Sequence, residues 1–155
     1  MLVGNLKLRW FVIFLFLVYI SIVLFANFVS DNTTFILSRH IGNTYKGISH
    51  NIVPFTTIST YLVNFHSYNF NTWFNNIFGN ILLFIPMGIF LPILSAKLMR
   101  LFSTIVIILL LSCTIEIMQY ATQLGVFNVD DIILNTLGGF LGYMILVSFK
   151  KRLFN

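Results

Sequence analysis

Residues 101–124, LFSTIVIILLLSCTIEIMQYATQL, decide the fold. The first half is almost pure Ile, Leu and Val, while the second half brings Ser112, Thr114, Glu116, Gln119 and Gln123 into the same run. A helix needs about 20 apolar residues to cross about 30 Å of hydrocarbon, so this stretch is long enough to span a bilayer. Glu116 and Gln119 are three residues apart and share one face of that helix. The next apolar run opens with Asp130-Asp131-Ile-Ile-Leu-Asn135, a second set of acids and an amide carried into a lipid-soluble segment.

Composition extends the reading to the whole chain. Of 155 residues, 58% are hydrophobic, 17% aromatic and only 8% charged, and the mean hydropathy is +0.94. These values lie far outside those of a soluble domain. The fold expected is all-α: a polytopic membrane helical bundle, one domain over residues 1–155. The net charge of +5 reflects scarce acids, four against nine bases. The bases adjoin apolar runs, which suits anionic headgroups and excludes nucleic acid as a partner. The single cysteine, Cys113, excludes an intramolecular disulfide and reads as a packing residue.

Working outward, four spans are expected, over about 9–29, 73–94, 101–124 and 130–149. The first reads as an uncleaved helix, because its apolar core is too long for a signal peptide and no small-x-small site follows it. Residues 30–72 form a mixed outer loop holding His40, His50 and His66. Within it, around Pro54, the residues Ile52, Phe55, Ile58, Leu62 and Phe65 recur at near-helical spacing among threonines and a serine. That stretch is too short and polar to span, and predicts an interfacial or re-entrant helix. The second span begins with Asn75, Asn76, Gly79 and Asn80, and Pro86 is expected to kink it.

Lys7, Arg9, Lys97, Arg100, Lys150, Lys151 and Arg152 fall on one side of a four-span arrangement, against Arg39 and Lys46 on the other. The positive-inside bias predicts that both termini are cytoplasmic, and that the histidine loop and the turn before Asp130 face the extracellular side. At ~1.5 Å per residue, Asn80 lies roughly 10 Å from the outer end of its span, Glu116 roughly 12 Å and Asn135 roughly 7 Å. Asn76, Asn80, Glu116, Gln119, Asp130, Asp131 and Asn135 are therefore expected to line one ligand-binding site in the outer half of the membrane. Simpler roles stand beside this one. Intramembrane asparagines serve as interhelical hydrogen-bond glue, and acids at a helix start cap it. Glu116 resists such treatment, since a carboxyl on an Ile/Leu helix costs several kcal/mol unless it is paired or protonated. Asp131, Asn135, Gly138 and Gly142 form one stripe, on which the glycines admit a close neighbouring helix. The histidines have no Cys partner and no i, i+4 spacing, so no metal site is expected, and the sequence names no cofactor.

With these residues in view, the chain resembles the VanZ-like family of membrane proteins. The matching motifs are Asn51-Ile-Val-Pro54-Phe55, Gly79-Asn80-Ile-Leu-Leu-Phe84-Ile-Pro86-Met-Gly88, Ile115-Glu116-Ile-Met-Gln119 and Asp130-Asp131-Ile-Ile-Leu-Asn135-Thr136-Leu-Gly138-Gly139-Phe-Leu-Gly142-Tyr143. They cover most of residues 51–145 in the family's order. Where such proteins often carry an arginine and a further aspartate before the paired aspartates, this chain has Gly125-Val-Phe-Asn128. A mechanism using that arginine as an anion clamp does not carry over. The resemblance implies a cell-envelope protein linked to antibiotic resistance, one that lowers sensitivity to teicoplanin-type lipoglycopeptides.

Three functions are compatible with these residues. In the first, the pocket binds a polar lipid headgroup, a lipid-linked cell-wall precursor or the lipoglycopeptide itself. In the second, the chain is an intramembrane hydrolase or transferase acting on an envelope lipid, with Glu116 as general base and Asp130 or Asp131 holding Mg²⁺ or orienting a hydroxyl. In the third it is an accessory subunit of a transport or wall-synthesis complex, for which homo-oligomerisation compensates the small number of spans.

Overall fold

The computed structural model describes residues 6–30, 50–64, 66 and 70–154. Arg39, His40 and Lys46 lie outside the described residues. Four helical stretches are long and apolar enough to cross a membrane: Leu6–Val29, Asn75–Leu94, Leu101–Thr122 and Val129–Lys150. The chain is a multi-pass all-helical membrane protein, and each span falls within a few residues of the range that hydropathy predicts.

The first span is α1 (Leu6–Phe25), which ends in a π-helical turn over Ala26–Ser30. A short helix, α2 (Thr56–Val63), stands where the amphipathic element is expected. It starts two residues after Pro54 because Phe55 adopts the left-handed conformation, φ 67°, and breaks the approach. The second span is entered through α3 (Phe70–Phe74) and a π-helical turn over Asn75–Gly79, and continues as α4 (Asn80–Leu94), unbroken through Pro86 and Pro92. A 3₁₀ turn, Ala96–Met99, leads to α5 (Leu101–Thr122), which is followed by α6 (Val129–Phe154).

Lipid tails are as apolar as leucine, so the helices are held by close packing and hydrogen bonds rather than by exclusion from water. The largest interface joins α4 to α6. A Cβ added at Gly138 would lie 2.2 Å from the carbonyl oxygen of Ile81, one at Gly142 1.9 Å from that of Ile85, and one at Gly88 1.9 Å from that of Gly139. Here the backbones touch, and only glycine permits it. Ile81 meets Gly138 and Ile85 meets Gly142, so α4 and α6 run parallel. In contrast α5 runs antiparallel to α6: Ile108 packs on Gly139, and Ser112 bonds to Asn135. α1 closes the bundle through Tyr19, whose hydroxyl donates to the carbonyl of Leu83 at 2.8 Å and whose ring stacks on Phe90. Phe84, Met87, Ile108 and Ile115 fill the centre.

This arrangement sorts charge along the bundle. Lys7 and Arg9 begin α1, Lys97 and Arg100 lie in the α4–α5 connection, and Lys150 lies near the end of α6. Glu116, Asp130 and Asp131 all stand at the opposite end, where α5 finishes and α6 begins.

Candidate functional site

The carboxylate end is organised by Asn128, the residue before α6. Its side-chain oxygen accepts the backbone N–H of Asp130 at 3.1 Å, which caps α6 in the usual way. Its own backbone N–H donates to Glu116 Oε2 at 2.8 Å, and its side-chain nitrogen donates to Asp131 Oδ1 at 3.0 Å. One asparagine thus ties the last turns of α5 to the first turn of α6. Glu116 and Asp131 thereby share Asn128 as a common hydrogen-bond donor.

Asp130 does something different. It sits in the first turn of α6, yet its carboxylate serves the N-terminus of α2. The first turn of any helix leaves N–H groups without intrahelical partners, and a Ser, Thr, Asn or Asp at the cap position normally takes them. Phe55 occupies that position in α2 and has no side-chain oxygen to offer. Asp130 Oδ2 accepts from Thr57 N at 2.6 Å and Ile58 N at 3.0 Å, and Oδ1 accepts from Phe55 N. The carboxylate is fully buried, and Asn51 Nδ2 adds a further donor at 3.3 Å.

Residues 50–58 are secured a second time through the main chain. Asn51 N donates to Phe127 O and Val129 N to Asn51 O, each at 2.9 Å, which makes an isolated parallel bridge between Asn51 and Asn128. Asn51 Nδ2 also reaches Asn128 Oδ1 at 2.9 Å and Thr57 Oγ1 at 2.8 Å. Beside this junction lies a groove of about 360 Å³, lined by His50, Asn51, Val53, Thr56, Thr60 and Tyr61 among others. His50 packs edge-on against Tyr120 of α5, with ring centroids 4.8 Å apart.

The seven residues singled out from the sequence have separate fates. Glu116, Asp130 and Asp131 come together around Asn128. Asn135 lies one turn deeper, 1% exposed, where its Nδ2 donates to Ser112 Oγ at 2.8 Å. Gln119 is directed toward α1, its Nε2 donating to Asn27 O at 2.8 Å. Asn76 falls within the π-helical turn of the second span, and Asn80 follows immediately after it. Asn80 precedes the buried Phe84 by one turn and, from the pairing of Ile81 with Gly138, lies deeper along the bundle than Asn135. Among the described residues, no group of three or more His, Cys, Asp or Glu side chains is arranged to hold a metal ion. Thr57 and Asn128 join the junction without having been expected there, as does Asn51, which heads the first family motif but is not among the expected site residues. For Asn128 the sequence does carry a signal, an Asn immediately before an apolar run that opens with acids.

The chain is similar in sequence to known proteins. Protein VanZ of Enterococcus faecium is 32% identical over 98 residues, a match covering 63% of this chain and 52% of that protein. The chain therefore aligns with about half the length of this curated relative. No solved structure matches it. The VanZ/LLP1 family model matches residues 11–150, which include most of the first span, the other three spans and the α2 junction, and the chain belongs to the VanZ/LLP1 family.

Proposed function

We propose that the protein works at the outer face of the cell membrane as a binding protein for an envelope amphiphile. The ligand class is a polar lipid headgroup, a lipid-linked wall precursor or an acylated glycopeptide, and binding lowers sensitivity to teicoplanin-type antibiotics. The observation that carries this reading is the groove beside α2. Its walls bear threonine hydroxyls, a tyrosine and a histidine, a lining suited to the hydroxyls and amides of sugars and peptides. Ile52, Val53, Phe55 and Leu62, on the same segment, are exposed. A recess that sets hydroxyls and an imidazole among apolar side chains fits a ligand with a wet head and a greasy tail. The positive-inside rule adds the orientation, since the basic end of the bundle belongs in the cytoplasm and the α2 junction then faces outward.

The reading is tested by producing the chain in a glycopeptide-sensitive Gram-positive host. Teicoplanin sensitivity should fall several-fold, sensitivity to a glycopeptide lacking an acyl chain should stay the same, and Thr60→Trp, which fills the groove, should abolish the effect. Purified protein in nanodiscs should bind a fluorescent lipoglycopeptide, with binding lost in the same variant. Undiminished binding by Thr60→Trp would overturn the assignment of the groove.

A further inference from the structure

The seam between α5 and α6 carries an arrangement that the groove does not use. Among the described residues, Glu116 and Asp131 receive hydrogen bonds from Asn128 alone, at Oε2 and Oδ1, which leaves Glu116 Oε1 and Asp131 Oδ2 without a donor. One turn deeper, Asn135 is 1% exposed and its Oδ1 is buried with no partner, although its Nδ2 is bonded across the seam to Ser112. Helical side chains lean toward the N-terminus of their own helix. Asn135 therefore leans toward the turn of Asp131, while Glu116, on the antiparallel helix, lies one turn from Ser112. Glu116 and Asp131 thus face one another one turn from the Ser112–Asn135 bond, and of their free oxygens and that of Asn135 it is Asn135 Oδ1 that is fully buried without a partner.

Charge points the same way. Two carboxylates stand here inside a bundle whose described Lys and Arg residues are gathered at the other end. Buried acceptors without donors are costly, and buried negative charge without a counter-charge is costlier.

We propose that the α5–α6 seam binds a small cationic group, an alkali-metal ion or a primary ammonium, through Glu116 Oε1, Asp131 Oδ2 and Asn135 Oδ1. A primary ammonium presents three N–H donors to three acceptors, and an alkali ion is a hard cation that takes oxygen ligands; both supply the missing positive charge. Quaternary cations lack the N–H donors. The inference does not rest on the groove, and either can fail without the other.

The test is thermal unfolding of the purified full chain in mild detergent at constant ionic strength. Sodium chloride, methylammonium chloride and N-methyl-D-glucamine chloride are compared. Relative to N-methyl-D-glucamine, a bound cation at ten times its dissociation constant should raise the Tm by about 3–6 °C. A rise with sodium identifies a free ion, and a rise with methylammonium alone identifies an ammonium group such as that of a headgroup. Equal Tm values in all three salts overturn the proposal. Glu116→Gln keeps an acceptor for the N–H of Asn128 and should lose the salt-specific rise, whereas an undiminished rise also overturns it. Should that variant not fold, ²³Na line broadening on the wild-type protein, competed by methylammonium, decides between the same outcomes, and neither broadening nor a methylammonium-specific rise in Tm refutes the site.

Discussion

Asn51 and Asn128 are joined main chain to main chain and side chain to side chain, although 77 residues separate them. This contact makes α2 part of the bundle. Without it α2 is an eight-residue amphipathic helix, too short to be stable in water or to cross a membrane.

Removing the carboxylate of Asp130 should release α2 while leaving the spans folded. Asp130→Ala leaves the amides of Phe55, Thr57 and Ile58 without their acceptor, at a cost of about 1–3 kcal/mol. Hydrogen exchange measured by mass spectrometry should speed up across 56–63 and stay unchanged in α5. Equal acceleration in both segments would contradict a capping role confined to α2.

The contact of α4 with α6 should discriminate sharply between glycines. Gly138→Ala and Gly142→Ala each force a methyl group into a backbone carbonyl and should destabilise the bundle by about 2 kcal/mol or more, or prevent its assembly. At Gly79 the nearest atom to an added Cβ is 3.8 Å away, so Gly79→Ala should be tolerated. Detergent-resistant folding, followed by thermal unfolding, separates the two outcomes.

Glu116 should respond to shape and to charge in different ways. In Glu116→Gln the amide oxygen still accepts from Asn128 N, and stability should change by less than about 1 kcal/mol. Glu116→Leu leaves that N–H unpaired in the seam and should cost about 1–3 kcal/mol. If both variants lose the same stability, the hydrogen bond to Asn128 is not what holds the α5–α6 turn.

Orientation is open to direct labelling. In a Cys113→Ala background, Val126→Cys lies in the turn before α6 and Ala96→Cys in the α4–α5 connection. A membrane-impermeant maleimide added to intact cells should modify the first, and should reach the second only after permeabilisation. The reverse pattern would place the carboxylate end in the cytoplasm.

The spans were legible in the sequence because lipid demands long apolar runs, and no other constraint on a chain is so uniform. The grouping of Glu116 with Asp131 was legible too, since helical rise and an antiparallel turn bring the end of one span to the start of the next. The role of Asp130 was not. Capping is ordinarily sought in the residues just before a helix, and here the acceptor arrives from another helix, 75 positions from Phe55. That substitution depends on Phe55 taking a positive φ, a conformation which non-glycine residues avoid and which no local pattern announces. Gln119 illustrates the converse: its place on the helix was readable, but its partner, a carbonyl at the end of α1, depends on how α1 packs.

The separation between Asn51 and Asn128 also sets an order of assembly. Ribosomes add about 5–20 residues per second, so after Asn51 the 77 positions up to and including Asn128 take roughly 4–15 s to synthesise. Throughout that interval α2 has neither the carboxylate that caps it nor the main-chain partner that secures it. Its exposed Ile52, Val53 and Phe55 give the waiting segment a reason to rest on the bilayer surface. The junction can close only after the start of α6 has been made, so α2 is latched later than the first three spans are synthesised, and a nascent chain arrested before residue 127 would display an unlatched α2.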